Sequence, residues 1–183
     1  MSGVETQSFP IGGEGETWEW YAHGSGGSYE SDTVKLGSFS TFRDFYRYYN
    51  NIPHPKRIFH GNERLRVRKK VITAFSIFKA GISPAWEDAS NQKGGSVQFR
   101  GPLTPSFLES FWLPFCILAL NRAGEGVNGV RLACRLDPRK RQTVHKVEVW
   151  LSSTSSSLVE QVSSVLKEEF PTLTFRFVPH SRE

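Results

Sequence analysis

The residues Trp86 and Glu87 offer the clearest prospect of binding chemistry in this chain. They lie in a polar loop between Gly81 and Gly95 that Pro84 stiffens. A Trp in such a loop is poorly placed to join a core, and the carboxylate beside it supplies two hydrogen-bond acceptors. The pair suits a purine that carries positive charge, because the cation stacks on the indole and the base edge donates to the acid. The alternative is that Trp86 is half-buried and only anchors its loop.

Two further segments concentrate positive charge that a polyanion can neutralise. Residues 136–143 contain Arg139, Lys140 and Arg141, and residues 53–72 are rich in Lys and Arg and carry Glu63 as their sole acid. Contacts from such side chains to phosphates are additive and weaken with salt. A run of charge is also typical of a solvated loop, so both interpretations stay open at this point.

The composition is that of one globular domain with a positive net charge. The 183 residues are 38% apolar and 13% aromatic, and 23 Lys and Arg against 18 Asp and Glu leave a charge of +5. This balance favours a polyanionic partner. No apolar run reaches the ~18 residues of a membrane span, so we expect a cytoplasmic protein with no membrane partner. The two cysteines and five histidines show neither disulfide nor metal-ligand spacing, and we expect no metal, no cofactor and no enzymatic activity.

Three segments have the apolar spacing of helices. The first begins at Thr41, which with Asp44 resembles a capping box, and ends near Asn51. The second begins at Pro105, and Pro114 is expected to kink or split it. The third is predicted over residues 157–170.

The other segments alternate between core-facing and outward-facing residue types, as strands do. In residues 144–151 Lys146, Glu148 and Trp150 lie on one side of the strand, and the other side carries the apolar set of Val147, Val149 and Leu151. The predicted strands are 33–39, 97–100, 127–135, 144–151 and 172–178. Strands interspersed with separated helices predict an α+β domain, with the helices on one face of an antiparallel sheet. We expect the apolar side to face the helices, which leaves Lys146, Glu148 and Trp150 on the free face.

Four ordered blocks resemble the messenger-RNA cap-binding initiation factor 4E family. The most specific likeness lies in the segment from Phe78 to Asp88, which is followed by Asn91 and the Gly94-Gly95 pair. The other blocks are Trp18 to Tyr21, Thr41 to Ile52 and Phe111 to Cys116. Their order and approximate spacing also match, from about Trp18 to Phe177, as in a divergent paralogue.

The resemblance implies a fold and a way to hold a methylated guanine. The implied fold is a curved antiparallel β-sheet of about eight strands with three helices on its convex face and the cap on its concave face. The base would lie between two aromatic rings. Trp86 and Tyr29 match these two positions, although the family normally has Trp at the position of Tyr29. Glu87 would accept from the guanine edge, and Trp150 would touch the N7-methyl group.

The resemblance also implies cations for the cap triphosphate. Arg135 and Lys146 fill two of the family's positions, whereas Ser96 stands where the family has a third cation, an arginine. We expect Arg139, Lys140 and Arg141 of the long hairpin to compensate. The C-terminal lid of many members is expected to be missing or removed here. The long hairpin would then take its place, especially for a hypermethylated cap such as trypanosomatids use.

The resemblance also implies a second binding surface, on the helices of the convex face, which we call the helical back. There a scaffold protein of the initiation factor 4G type, or a 4E-binding protein, would dock a Tyr-x-x-x-x-Leu-hydrophobic motif. Tyr46 matches the exposed Trp of the family, with Phe42 and Leu113 beside it. Pro114 replaces an acidic residue that usually completes this contact. A core role for Phe42 is an equal alternative, and Tyr46 is expected to be exposed because Phe45 and Tyr49 already define an inward stripe.

These expectations combine into one domain plan and one function. Residues 1–16 are predicted to be a flexible tail, 17–179 a single cap-binding domain with a basic insertion near 53–72, and 180–183 a short C-terminal end. The predicted function is that of a non-enzymatic translation initiation factor that binds capped mRNA. The alternatives are a repressor-type interaction module on the same fold and a general RNA-binding domain.

Overall fold

The computed structural model describes residues 9–12, 14–25, 32–59, 65–67, 69–122, 126–137, 139 and 142–180. The strands are β1 (Trp18–His23), β2 (Thr33–Phe39), β3 (Arg66–Val67), β4 (Lys70–Val71), β5 (Ala74–Lys79), β6 (Gly95–Gly101), β7 (Val127–Asp137), β8 (Gln142–Leu151) and β9 (Arg176–Pro179). The helices are α1 (Phe42–Asn51), α2 (Pro55–Phe59), α3 (Ala89–Gln92), α4 (Pro105–Arg122) and α5 (Ser156–Glu169).

Seven of the strands form one antiparallel sheet in the order β2-β1-β5-β7-β8-β6-β9, and β3 pairs only with β4. This confirms the predicted α+β fold with a curved antiparallel sheet, with seven main strands where about eight were expected. The last strand is also shorter than predicted. The backbone N–H of Leu173 donates to Phe170 at the end of α5, so the chain is still turning there and pairs with β6 only from Arg176 onwards.

The three longer helices share one core with one face of the sheet. On β8 the side chains of Val147, Val149 and Leu151 are buried in this core, as the alternation predicted. Trp18 and Trp20 on β1 join them, together with Phe45 of α1 and Trp112 of α4. The opposite face of the sheet, called the open face here, therefore carries Lys146, Glu148 and Trp150.

The helix boundaries follow local chemistry. The Thr41 hydroxyl oxygen accepts from the backbone N–H of Asp44 at 3.2 Å and its O–H donates to the Asp44 carboxylate at 3.0 Å, which confirms the predicted cap. Helix α5 is capped by Ser155, two residues before its predicted start. Helix α4 continues through Pro114 without interruption, so the helix is not split there.

Part of the segment predicted to be a flexible tail, residues 1–16, packs on the domain in the structure. Ile11 is fully buried in the core, and its carbonyl oxygen accepts from Trp18 Nε1 at 3.0 Å. Pro10 forms an isolated bridge with Thr41. Ile11 lies between Pro and Gly, where no periodic pattern marks it as a core residue, and its burial arises from packing against distant parts of the chain.

Candidate functional site

The loop of residues 80–94, called the Trp86 loop here, is held by one fully buried amide. The Asn91 side chain donates to the carbonyl oxygens of Ser83 at 2.9 Å and Ala85 at 2.8 Å. Its own oxygen accepts from the side chain of Asn128 at 2.9 Å, and Asn128 also donates to Ser90 at 2.8 Å. Asn128 reaches the loop from a register irregularity in β7, and such bulges commonly re-aim a side chain beside a functional site.

Two features close the Trp86 loop onto the sheet. Asp88 accepts from the backbone N–H groups of Ser83 at 2.8 Å and Ser90 at 2.9 Å, which caps α3 and fixes the turn before it. At Gly94 the chain approaches β8 so closely that a Cβ would lie 1.8 Å from the Leu151 carbonyl oxygen. Only glycine fits at position 94.

This scaffold presents Trp86 to solvent. Trp86 keeps 58% of its surface exposed, and the neighbouring Glu87 is exposed as well. Asn91 is the anchor of the loop, so the alternative that Trp86 is a half-buried anchor does not describe this geometry. No group of the described residues donates a hydrogen bond to the Glu87 carboxylate, whereas the Glu87 backbone carbonyl accepts from Gln92 Nε2 at 2.8 Å.

Trp86 forms one wall of a pocket of about 1040 Å³ on the open face, called the Trp pocket here. Other residues that line it include Arg131, Lys146, Glu148, Trp150 and His180. The pocket therefore joins an exposed indole on a loop to cations on the central strands β7 and β8.

Trp150 forms part of this pocket and is only 6% exposed. Its ring meets Phe78 edge-on at 5.3 Å between centroids and lies 4.3 Å from the ring of His180. Gly129 stands opposite Trp150 on β7, and a Cβ there would lie 2.5 Å from Phe78. The missing side chain makes room for the Phe78 ring that Trp150 contacts. His180 is held in turn by its Nδ1, which donates to the Asn91 carbonyl at 2.9 Å.

Glu148 organises the cations of the pocket floor. Its carboxylate is buried and lies 2.6 Å from Lys146 Nζ and 3.6 Å from an Arg131 guanidinium nitrogen. The Ser96 hydroxyl donates to the same carboxylate at 3.4 Å. Within the described part of the chain, Trp150 Nε1, Arg131 Nε and Glu148 Oε2 are buried without a hydrogen-bond partner. Each unpaired buried polar group costs ~1–3 kcal/mol, so a ligand that supplies a hydrogen-bond partner gains binding free energy.

A second pocket of about 440 Å³ continues along the open face from Arg131 and Lys146. Arg100 and Arg135 complete its charged lining, and Thr73 and Cys134 lie at its side. We call it the cation pocket. Its lining carries four cationic side chains and includes no carboxylate from the described residues.

His23 adds no charge to this face at neutral pH. Burial, together with the nearby Arg131 cation, lowers the pKa of His23 to about 3. Its Nε2 lies 2.7 Å from the Ser76 hydroxyl and its Nδ1 lies 3.2 Å from the Thr33 hydroxyl. The neutral ring is thus a bridge between strands, and the positive charge of the open face comes from Lys and Arg.

The structure brings four of the nine predicted ligand residues to two adjoining pockets on one face. Trp86, Trp150 and Lys146 share the Trp pocket, and Arg135 lines the adjoining cation pocket. Arg139 is exposed at the tip of the β7–β8 hairpin, and its backbone N–H donates to Asp137 at 2.9 Å. The remaining predicted ligands, Tyr29, Lys140 and Arg141, lie outside the described residues.

The predicted partner residues lie on the helical back. Tyr46 is 39% exposed and meets the buried Phe45 edge-on at 5.7 Å, as expected for a ring outside the inward stripe. Phe42 and Leu113 are half-buried and pack on the core. Tyr46 is therefore the most accessible of the three.

Sequence patterns did not identify Asn91 and Asn128 as positioning residues or Arg100 and Arg131 as open-face cations. Strand alternation was a usable signal for the two arginines. Arg100 stands opposite Lys146 and Arg131 opposite Glu148 in the sheet, so all four share one face. Nothing in the local sequence marks Asn91 and Asn128 as partners, because 37 positions separate them.

None of the described helices is long and apolar enough to cross a membrane. Within the same residues, no cluster of three or more His, Cys, Asp or Glu side chains is placed to hold a metal ion.

The sequence is similar to translation factors of animals. It is 28% identical over 124 residues to eukaryotic translation initiation factor 4E1 of Drosophila melanogaster, covering 67% of this chain and 42% of the relative. It is 26% identical over 153 residues to eukaryotic translation initiation factor 4E of Aplysia californica, covering 80% of this chain and 65% of the relative. The chain therefore spans less than two thirds of the length of these relatives.

Solved structures share the fold over nearly the whole chain. The crystal structure of Ascaris suum eIF4E-3 with an m2,2,7G cap has a TM-score of 0.76 at 22% identity and covers 97% of this chain and 94% of its own. The complex of C. elegans eIF4E-3 with the 4E-binding protein Mextli and a cap analogue has a TM-score of 0.74 at 20% identity, with coverages of 95% and 94%. The profile of the family described as eukaryotic initiation factor 4E matches residues 15–183, so the chain belongs to the eukaryotic initiation factor 4E family.

Proposed function

We propose that this protein is a translation initiation factor that binds the 7-methylguanosine cap of mRNA and recruits a partner protein through its helical back. The observation that carries the proposal is the exposed indole of Trp86 beside the accessible carboxylate of Glu87, on a loop that Asn91 anchors above a row of cations. Similar structures that contain cap ligands and 4E-binding proteins support it.

The methylated base stacks on Trp86, and Tyr29 forms the second wall. Methylation at N7 places positive charge on the guanine, which strengthens stacking on an electron-rich ring face. Glu87 accepts hydrogen bonds from N1 and the exocyclic amine, and its negative charge favours the cationic base. Trp150 at the back of the Trp pocket touches the N7-methyl group.

The triphosphate lies along the cations next to the Trp pocket. Lys146 and Arg135 contact it, and Arg139, Lys140 and Arg141 of the hairpin add charge from the rim. Successive residues on one side of β8 separate Trp150 from Lys146 by about 13 Å at the usual rise per residue. That spacing allows one ligand to reach the aromatic groups with its base and the cations with its phosphates.

The decisive experiment is a titration of Trp fluorescence with 7-methylguanosine triphosphate and with unmethylated GTP. The methylated nucleotide is expected to quench strongly and to bind at least ~10-fold tighter, because only the cationic base gains the cation–π attraction. Equal responses to the two nucleotides would overturn the proposal. Partner capture without cap binding would favour the repressor module, and salt-sensitive binding to uncapped RNA alone would favour a general RNA-binding domain.

The partner surface gives a separate prediction. Tyr46→Ala is expected to weaken binding of a peptide with the Tyr-x-x-x-x-Leu-hydrophobic motif by about tenfold or more, because a large exposed aromatic is lost from the contact. Peptide affinity is measured by fluorescence polarisation, with Tyr46→Phe as the matched variant that keeps the ring. Cap affinity should not change. A large fall in unfolding free energy would show instead that Tyr46 holds the fold through Phe45.

A further inference from the structure

A third pocket, of about 520 Å³, lies on the helical back where the end of α1, the short helix α2 and the start of α4 meet. We call it the α2 pocket. The residues that line it include Tyr49, Asn50, His54, Lys56, Arg57 and Glu109. None of these residues lines the Trp pocket or the cation pocket, so the α2 pocket is separate from the proposed cap site.

His54 brings an unpartnered hydrogen-bond donor to the wall of this pocket. The backbone N–H of Lys56 donates to His54 Nδ1 at 3.1 Å, so the neutral ring carries its proton on Nε2. Nε2 is buried and has no hydrogen-bond partner among the described residues. Burial and the Lys56 and Arg57 cations lower the pKa of His54, whereas Glu109 raises it, and the ring is neutral at pH 7. An acceptor that enters the pocket would complete the bonding of this donor.

The charged side chains of the α2 pocket leave one cation unbalanced. Lys56 forms an ion pair with Glu109, which joins α2 to α4. Arg57 is exposed and forms no ion pair with any described residue. The lining thus holds two cations against one carboxylate, beside the Nε2 donor of His54. This combination suits an anion that accepts hydrogen bonds.

The α2 pocket continues the proposed partner surface of Phe42, Tyr46 and Leu113. Asn50 follows Tyr46 by about one turn of α1, and Leu113 follows Glu109 by about one turn of α4. Residues at this spacing are neighbours on the surface of a helix, about one pitch of ~5.4 Å apart. A peptide docked on Tyr46 and Leu113 therefore has the α2 pocket within reach of its flanking residues.

We infer that the α2 pocket binds a carboxylate from an acidic segment that flanks the docking motif of the partner protein. Arg57 supplies the charge, His54 supplies a hydrogen bond, and the ion pair of Lys56 with Glu109 positions α2 against α4. The pocket lies on the helical side of the sheet and the proposed cap site lies on the open face, which favours a protein segment over the bound RNA as its occupant. This inference rests on the proposed recruitment of a partner, because it assigns the chemistry beside the motif.

The test compares two peptides that share the Tyr-x-x-x-x-Leu-hydrophobic motif. One carries Glu on both sides of the motif, and the other carries Gln at the same positions. Wild type is expected to bind the Glu peptide about fivefold tighter by fluorescence polarisation, because an ion pair with Arg57 and a charge-assisted hydrogen bond from His54 form.

Three variants locate the source of this preference. Arg57→Gln should reduce it to within about twofold, and Arg57→Glu should reverse it, because a carboxylate there repels the Glu peptide. Arg57 is exposed, so both variants are expected to fold. Arg176→Gln removes the same charge from an exposed position on β9 and should keep the full preference.

Failure of the α2 pocket differs from failure of the partner surface. If both peptides bind and Tyr46→Ala weakens them, but Arg57→Gln keeps the wild-type ratio of affinities, the pocket is overturned and the partner surface stands. If Arg57→Gln weakens binding of uncapped RNA and not of the Glu peptide, RNA is the occupant and the inference is wrong.

If neither peptide binds wild type, the partner surface fails and a short poly-glutamate peptide becomes the probe of the pocket. The readout is then the NMR signal of the His54 ring. A shift that Arg57→Gln abolishes and Arg176→Gln retains supports an acidic occupant. The absence of a shift in wild type overturns it.

Discussion

Trp86→Ala and Glu87→Ala are each expected to weaken binding of 7-methylguanosine triphosphate by at least ~2 kcal/mol, or about 30-fold. The first removes a stacking face and the second leaves the donors of the base edge unpaired. Both side chains are exposed, so neither change should lower the free energy of unfolding by more than ~0.5 kcal/mol. Fluorescence or calorimetric titration gives the affinity, and urea unfolding gives the stability.

Two conservative variants separate the roles of these residues. Trp86→Phe keeps an aromatic face and should retain more affinity than Trp86→Ala. Glu87→Gln keeps the shape and one acceptor oxygen but loses the negative charge, so it should bind the methylated nucleotide clearly less well than wild type. If Glu87→Gln binds equally well, the carboxylate does not recognise the cationic base. Glu160→Gln on α5 removes a carboxylate from an exposed helix position and serves as the charge control.

Local patterns were enough to predict the sheet face that carries the candidate site. Alternation in β8 placed Val147 and Val149 inward and Trp150 outward, and the structure places them so because a strand that covers a core must bury every second residue. The polar surroundings of Trp86 likewise indicated an exposed indole. Both inferences use neighbours within a few positions, where sequence pattern and geometry are tightly linked.

Long-range contacts could not be predicted in the same way. Asn128 hydrogen-bonds Asn91 across 37 positions, and Gly12 donates to the Asn121 side chain across 109. Arg131 and Glu148 become partners only because β7 and β8 pair in one particular register. A one-residue slip of that register would put the two side chains on opposite faces of the sheet. The pattern on each strand shows which side a residue takes, but not which residue it meets.

Asn91→Ala is expected to disable the site without touching the ligand. It leaves the Ser83 and Ala85 carbonyl oxygens and the Asn128 amide without their buried partner, at a cost of about 3 kcal/mol in the free energy of unfolding. The freed loop no longer holds Trp86 and Glu87 in place, so cap affinity should fall by ~10-fold or more even under conditions where the protein stays folded. Asn51→Ala is the matched control, because that amide makes one exposed bond to Arg47 at the end of α1.

A double-mutant cycle decides whether Asn91 acts through the Trp86 loop. If Asn91 serves cap binding only by positioning Trp86 and Glu87, then Asn91→Ala should cost little further affinity once both of those residues are already Ala. Full additivity of the losses would show that Asn91 affects the ligand by another route, such as a shift of its backbone carbonyl, to which His180 beside Trp150 donates. The loss of stability should be the same in both backgrounds, because the hydrogen bonds of Asn91 hold the loop backbone and not the exposed side chains. Cap affinity would then depend on Asn91 only when Trp86 and Glu87 are present, whereas stability would depend on Asn91 in both backgrounds. This is expected where a buried amide positions an exposed binding surface.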